Sequence, residues 1–225
     1  MDIASVTQRL RELLEVRDTG ERTVVLSEGH AAEIQDYLKL LDLVASVSVV
    51  SMDNLNLKRE RTIISQPGLR YAQAEALVES LLADEEFADL SPVERNRVLE
   101  RIRSEIMGRM IEDLVLLETA VARPDKQMFV LQFSVGEFDM VAFDPRKAGC
   151  EVYEIKHSRV AVPLQYRFLV DDEKCARTEH RFGSITARRV LYRGVSFREG
   201  AVEYVNVKEY LRGLGEWANE KDNES

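Results

Sequence analysis

Asp139, Glu154 and Lys156 lie on two neighbouring predicted strands, and these residue types could bind a metal ion beside a phosphate. An apolar run with interspersed polar residues precedes the segment 144–149, and an alternating run follows it. That segment, Asp-Pro-Arg-Lys-Ala-Gly, has the composition of a turn. The resulting hairpin sets Asp139 across from Glu154 and Lys156. Because side chains alternate along a strand, Glu154 and Lys156 point to the same face.

A third carboxylate, Glu112, is expected to join this group. It lies one turn after Gly108 in a long helical pattern. A glycine there lets the helix lie close to a sheet, so that Glu112 reaches the strand carboxylates. Three carboxylate ligands suit Mg²⁺ or Mn²⁺ better than zinc. Such an ion polarises a phosphoryl oxygen and activates water, and Lys156 would place positive charge where the transition state gains negative charge.

Each of these residues, taken alone, also has an ordinary structural explanation. Glu154 and Lys156 could belong to a half-exposed strand, and Glu112 could be a solvated helix residue. Asp139 is less ordinary, because aspartate is disfavoured within strands and here it interrupts an apolar run. Four charged groups on core elements need partners, which favours a shared cluster. Lys156 could still be only the counter-ion of the carboxylates, without a chemical role.

The order Glu112, Asp139, Glu154, Lys156 resembles the signature of the PD-(D/E)XK nuclease superfamily. More closely, the chain resembles the C-terminal domain, of uncharacterised function, that follows the AAA-type ATPase in many bacterial and archaeal proteins. Five segments, spread over most of the chain, carry this resemblance in order: AEIQDYLKLL at 32–41, IISQPGL at 63–69, EFD at 137–139, VLYRG at 190–194 and VNVKEYL at 205–211. The chain departs from the family at Gln66, where an aspartate is usual.

This resemblance implies an α/β fold with a restriction-endonuclease-like core, αβββαβ, at 91–219, preceded by a winged-helix-like α+β segment at 1–86. It implies a site in which Asp139, Glu154 and Lys156 are catalytic and Glu112, Asp139 and Glu154 hold Mg²⁺ or Mn²⁺. Related nucleases often place a polar residue after the third core strand, and Gln165 occupies that position here. The implied partners are DNA and an AAA-type ATPase domain, in cis or in trans.

The hydrophobic periodicity predicts the elements that must position these residues. The predicted helices lie at 4–16, 28–44, 72–82 and 91–121, within 164–180, and at 207–217. The predicted strands lie at 47–50, 62–64, 128–135, 137–144, 150–158, 188–193 and 201–206. The acidic segment 84–90 is a plausible domain boundary. Ser91 and Glu94 form a capping box, and Pro92 suits the first helical position after it.

The composition of the chain argues against several classes of function. The chain has 225 residues, 45% of them hydrophobic, and a net charge of −9, which argues against broad non-specific binding of nucleic acid. No apolar run approaches the roughly 18 residues of a membrane span, and the N-terminus lacks the pattern of a signal peptide. We therefore expect a cytoplasmic protein without a membrane partner. The two cysteines are too few for a disulfide framework and are expected to be buried thiols.

The sequence is compatible with three functions. The leading hypothesis is Mg²⁺-dependent hydrolysis of DNA phosphodiesters. The alternative is a catalytically inactive module that recognises DNA or protein and regulates an ATPase. The helix of the N-terminal segment that would read DNA is mainly acidic, which favours protein contact there, and a third possibility is a scaffold that forms a homo-oligomer through residues 31–44. The chain contains no phosphate-binding loop of the G-x-x-x-x-G-K-[ST] type, so no ATP hydrolysis of that kind is expected.

Overall fold

The computed structural model describes residues 28–54 and 58–223 of the chain. The chain divides into two compact units, residues 1–38 and 39–225. Helix α1 spans Glu28–Leu40, four residues shorter than the predicted helix at 28–44. The helix predicted at 4–16 lies outside the described residues.

A mixed sheet of eight strands forms the centre of the second unit. The strands are β1 (Val44–Ser51), β2 (Lys58–Ile64), β3 (Gln127–Gln132), β4 (Glu137–Asp144), β5 (Gly149–Ile155), β6 (Ser184–Tyr192), β7 (Phe197–Glu199) and β8 (Val202–Asn206). Their spatial order is β2-β1-β3-β4-β5-β6-β8-β7. Four neighbouring pairs are antiparallel, namely β1–β2, β3–β4, β4–β5 and β7–β8. The pairs β1–β3, β5–β6 and β6–β8 are parallel.

Helices follow and connect these strands. They are α2 (Pro67–Leu82), α3 (Glu85–Ala88), α4 (Pro92–Ala122), a 3₁₀ helix (Pro163–Tyr166), α5 (Asp172–Phe182) and α6 (Val207–Asn223). The predicted capping box of α4 is confirmed, because the Ser91 hydroxyl accepts from the Glu94 amide at 3.3 Å and the Glu94 carboxylate accepts from the Ser91 amide at 3.1 Å. The helix predicted within 164–180 is α5, which begins at Asp172 and not at Gln165. Asp171 caps α5 with its side chain, and a 3₁₀ turn precedes it.

Apolar side chains cover both faces of the sheet. On one face, Val115 and Leu116 of α4 and Val207 of α6 pack with strand residues such as Met140 and Tyr153. On the other face, the residues of α5 pack with a second set of strand residues, and both Cys175 on α5 and Cys150 on β5 belong to that core. The two cysteines are free and buried, as predicted. The sheet thus lies between helices on both sides.

The hairpin of β1 and β2 belongs to this same sheet. β1 pairs in parallel with β3, with Val49 opposite Val130. The predicted domain division between residues 86 and 91 therefore cuts across one continuous sheet. The two apolar segments predicted both strands, but such a local pattern does not specify which strand lies beside which.

Replacement of Gly183 by alanine is expected to destabilise the fold by about 2–4 kcal/mol, through backbone strain and steric overlap together. Gly183 ends α5 with φ +78° and ψ −172°, and a Cβ there would lie 1.6 Å from the carbonyl oxygen of Ala148. The matched control is Gly200→Ala, because Gly200 also has a positive φ (+58°) but has nothing within 4 Å of its Cβ position. Urea unfolding of both variants tests this, and equal losses of stability would contradict it.

Candidate functional site

A β-bulge lies at the strand position that carries Asp139. The ladder between β3 and β4 passes from the pair Phe129–Val141 to the pair Leu131–Phe138. Between these pairs β3 contributes one residue, whereas β4 contributes two, Asp139 and Met140. A bulge changes the direction of the side chains beside it and is often found next to functional sites. Asp139 is thereby released from the regular alternation of β4.

The Asp139 carboxylate holds the end of β5. One oxygen, Oδ2, accepts a hydrogen bond from the backbone amide of Ile155 at 2.7 Å and another from Nζ of Lys156 at 2.9 Å. The regular pairing of β4 with β5 ends at Met140 and Tyr153, one step before Asp139. The aspartate side chain therefore takes the place of the next ladder bond. The predicted strand 150–158 ends at Ile155, so Lys156 lies just beyond it.

Glu154 is the most deeply buried charged group of the cluster, with 5% of its side chain exposed. Its Oε2 lies 2.6 Å from Nζ of Lys156. Its other oxygen, Oε1, is buried and has no hydrogen-bond partner among the described residues. Burial, followed by the nearby charge of Asp139, raises the pKa of Glu154 to about 8, against the opposing effect of Lys156. A hydrogen bond with Asp139 adds to this rise, so either a proton or a cation at this position would relieve the burial of the carboxylate.

Glu112 approaches the same group from α4. Its carboxylate binds Nη1 of Arg109 at 3.1 Å, one turn earlier on the helix. Burial and then the charge of Asp139 raise the pKa of Glu112 to about 7, while Arg109 and Lys156 act in the opposite direction. Glu112 is therefore close enough to Asp139 for their charges to interact, although its direct ion pair is with Arg109.

Gln165 does not join this cluster. It lies in the 3₁₀ helix, and the helix that it was predicted to begin starts only at Asp172. Its side-chain amide donates to the Ser158 hydroxyl at 2.6 Å and to the Val160 carbonyl at 3.0 Å, and its side-chain oxygen accepts from the Val162 amide at 3.1 Å. These bonds hold the loop after β5 in shape. Gln165 thus supports the segment that follows Lys156.

Lys156 occupies the position between the two strand carboxylates. Its ammonium group contacts both Asp139 and Glu154 and is 30% exposed. Within residues 28–54 and 58–223, no group of three or more His, Cys, Asp or Glu side chains has the arrangement of a metal site. The structure therefore brings Asp139, Glu154 and Lys156 together as an ion-paired group, with Glu112 beside it.

The sequence did not predict a role for Asp113, which is next to Glu112. Asp113 is only 4% exposed. Its carboxylate lies 2.8 Å from Nη2 of Arg70 and 3.5 Å from Nη2 of Arg61. These pairs fasten α4 to α2 and β2, and so fix the helix that carries Glu112. The one sequence signal was an acidic residue among the apolar positions of the helix, which is a weak signal without the partners.

Comparisons of the chain with protein families, with curated proteins and with solved structures found no match. In the part of the chain that the structure describes, no helix combines the length and apolar character needed to cross a membrane.

Proposed function

We propose that this chain is a divalent-cation-dependent phosphodiesterase of the endonuclease type that acts on DNA. The observation that carries the proposal is the closeness of two carboxyl groups, Glu154 and Asp139, at a position where Oε1 of Glu154 is buried and no ordinary donor of the described residues reaches it. Asp139 and Glu154 both contact Lys156, and Glu112 lies near enough for its charge to interact with that of Asp139. The raised pKa values of Glu112 and Glu154 mean that both groups hold a proton readily near neutral pH, and a bound cation would take the place of those protons.

The donor set fits Mg²⁺ or Mn²⁺, because both ions prefer carboxylate oxygens. Asp139 and Glu154 would hold the ion, with Glu112 as the third ligand. When bound, such an ion supplies Lewis-acid polarisation of the phosphoryl group and a more acidic water. Lys156 would then bind the attacked phosphate with its ammonium group and stabilise the negative charge that develops there.

The element order around the site also supports the proposal. The elements around the site follow one another in the chain as αβββαβ, namely α4, β3, β4, β5, α5 and β6. Strands β3 to β6 are adjacent in the sheet. This order agrees with the proposed restriction-endonuclease-like core. For the N-terminal part we propose a winged-helix-like segment from the family resemblance. An association with an AAA-type ATPase, in cis or in trans, is proposed from the family resemblance.

Calorimetric titration with Mn²⁺ and Mg²⁺ tests the metal site directly. We expect the parent protein to bind Mn²⁺ and the Asp139→Asn variant to lose that binding. Asparagine keeps an oxygen that can accept from the Ile155 amide, so the fold should remain intact. Lys156→Met should retain binding, because it removes a cation that competes for the same oxygens. The control is Glu118→Gln, an exposed carboxylate on α4. Absence of binding to the parent would refute the proposed metal site.

A second candidate function is a catalytically inactive module that recognises DNA or protein for an ATPase. The ion pairs of Lys156 with Asp139 and Glu154 favour it, because they already join the ends of β4 and β5 without a metal. On this alternative, Lys156→Met would destabilise the fold and no divalent cation would bind. The titration above therefore separates the two candidates.

A further inference from the structure

A small basic cavity lies beyond the acidic cluster, where β6, β8 and the start of α6 meet. Its volume is about 170 Å³. The lining residues are basic or polar with one exception: Arg159, Arg193, Asn206, Val207 and Lys208. Pockets for drug-sized ligands usually span roughly 300–1,000 Å³ and are mainly apolar. This cavity is smaller and cationic, so its chemistry suits a phosphate group better than a nucleobase.

None of the three cations of this cavity has an acidic partner among the residues that the structure describes. Arg159, Arg193 and Lys208 form no ion pair with any side chain in the described ranges. The half-buried strand arginines Arg61, Arg188 and Arg189 each form one. The acidic Glu209 lies next to Lys208, but its carboxylate accepts from the hydroxyl of Ser196 and does not line the cavity. Three positive charges are thus concentrated without internal neutralisation, which attracts an anion.

The walls of the cavity are held in place by specific bonds. Nη1 of Arg193 lies 2.8 Å from Nε2 of His157. Because a guanidinium can only donate, His157 accepts at Nε2 and orients Arg193. Asn206 caps α6 by accepting from the Lys208 amide at 2.9 Å, and its side-chain nitrogen donates to the Gly194 carbonyl at 2.6 Å. The positive end of the α6 dipole therefore adds to the charge of the side chains.

The cavity is linked to the acidic cluster through a short segment. Arg159 follows Lys156 by three residues, which span at most about 11 Å. The segment is fixed to the end of β6, because the Lys156 amide donates to the Leu191 carbonyl at 2.8 Å and the Arg193 amide donates to the Ser158 carbonyl at 2.9 Å. Each strand of DNA carries one phosphate about every 3.4 Å along the helix axis. A phosphate in the cavity would thus be a near neighbour of the phosphate at Lys156.

We infer that this cavity binds a second phosphate of the substrate strand, a few nucleotides from the phosphate at the acidic cluster. The inference rests on the proposed function and specifies the class of substrate. The substrate class is a polynucleotide strand with phosphates on at least one side of the attacked bond, and an isolated phosphodiester lacks the group that Arg159, Arg193 and Lys208 bind.

The test is the affinity for a fluorescein-labelled single-stranded DNA oligonucleotide, measured by anisotropy in EDTA at several salt concentrations. Without metal, binding is read independently of cleavage. We expect Arg193→Ala/Lys208→Ala to weaken binding about tenfold or more and to lower the slope of log affinity against log salt by about 0.7 for each lost phosphate contact. Lys208→Glu, at an exposed position, should weaken binding similarly without risk to the fold.

The matched control is Arg146→Ala, which removes an exposed arginine from the turn at the opposite end of the β4–β5 hairpin. It should leave both affinity and salt slope unchanged. If Lys208→Glu binds the oligonucleotide like the parent, the inference is overturned, even if the parent binds Mn²⁺. If the parent binds no Mn²⁺ but Lys208→Glu loses oligonucleotide affinity, the proposed hydrolysis fails and the phosphate site stands.

Discussion

Metal-dependent cleavage of DNA is expected to fall about a thousandfold when Asp139 is replaced by asparagine. A bound divalent ion stabilises the transition state by several kcal/mol, and each 1.36 kcal/mol corresponds to a tenfold change in rate. Asparagine offers a weaker, uncharged ligand at the position where Asp139 meets Lys156 and the Ile155 amide. The loss should therefore appear in the chemical step, while the variant still folds and still binds the oligonucleotide.

The measurement is the initial rate of nicking of plasmid DNA with Mg²⁺, together with thermal melting of each protein. Lys156→Met is expected to lose about a hundredfold in rate, the usual effect of removing one electrostatic contact to the transition state. Its matched control is Lys147→Met, at an exposed position in the turn of the same hairpin. Full activity of Asp139→Asn would refute the assignment of the site. If Lys147→Met loses as much activity as Lys156→Met, the effect would result from the change in net charge and not from the position of Lys156.

The sequence predicted the hairpin that brings the charged residues together, because turn composition and alternation are local signals. The Asp144 carboxylate accepts from the amides of Arg146 at 3.0 Å and Lys147 at 3.2 Å, which is the turn chemistry expected of an aspartate followed by proline. The register of the hairpin then follows from its length, with Met140 opposite Tyr153. These features depend on residues close together in the chain.

The features that escaped prediction depend on distant partners. The bulge at Asp139 arises in the pairing of β4 with β3, and nothing in the sequence of β4 alone indicates an extra residue there. The parallel pairing of β1 with β3 joins segments that lie almost eighty residues apart. Gln165 was placed by analogy with related nucleases, but its hydrogen bonds go to the loop after β5. Local patterns predict elements well, whereas the partners of those elements come from packing.

Glu151 is the second position where a large effect is expected, and here the effect is on stability. Only 10% of its side chain is exposed, and its carboxylate oxygens lie 2.5 Å from side-chain nitrogens of Arg123, Lys126 and Arg189. The carboxylate also accepts a hydrogen bond from the Tyr153 hydroxyl. Replacement by glutamine would leave three cations around a neutral amide. Breaking a buried ion pair costs about 3–5 kcal/mol, and we expect a loss of that size in urea unfolding at neutral pH.

The pH dependence gives this prediction a second, independent readout. Burial alone would raise the pKa of Glu151, but hydrogen bonds from Arg123, Lys126 and Tyr153 outweigh it and hold that pKa well below its usual value. A carboxyl group with a lowered folded-state pKa stabilises the protein above its unfolded pKa, and this contribution is lost as the pH falls towards the folded value. The parent should therefore lose stability below about pH 4.5 more steeply than Glu151→Gln.

The control for this position is Glu203→Gln. Glu203 pairs with the same Arg189 at 3.0 Å, but 35% of its side chain is exposed, so the expected loss is below about 1 kcal/mol. Equal losses in the two variants would contradict the role assigned to Glu151. A large loss confined to Glu151→Gln would show that the cation cluster fixes β5 between the end of α4 and β6. Since Glu154 follows three residues later on β5, that anchoring also sets the position of the candidate site.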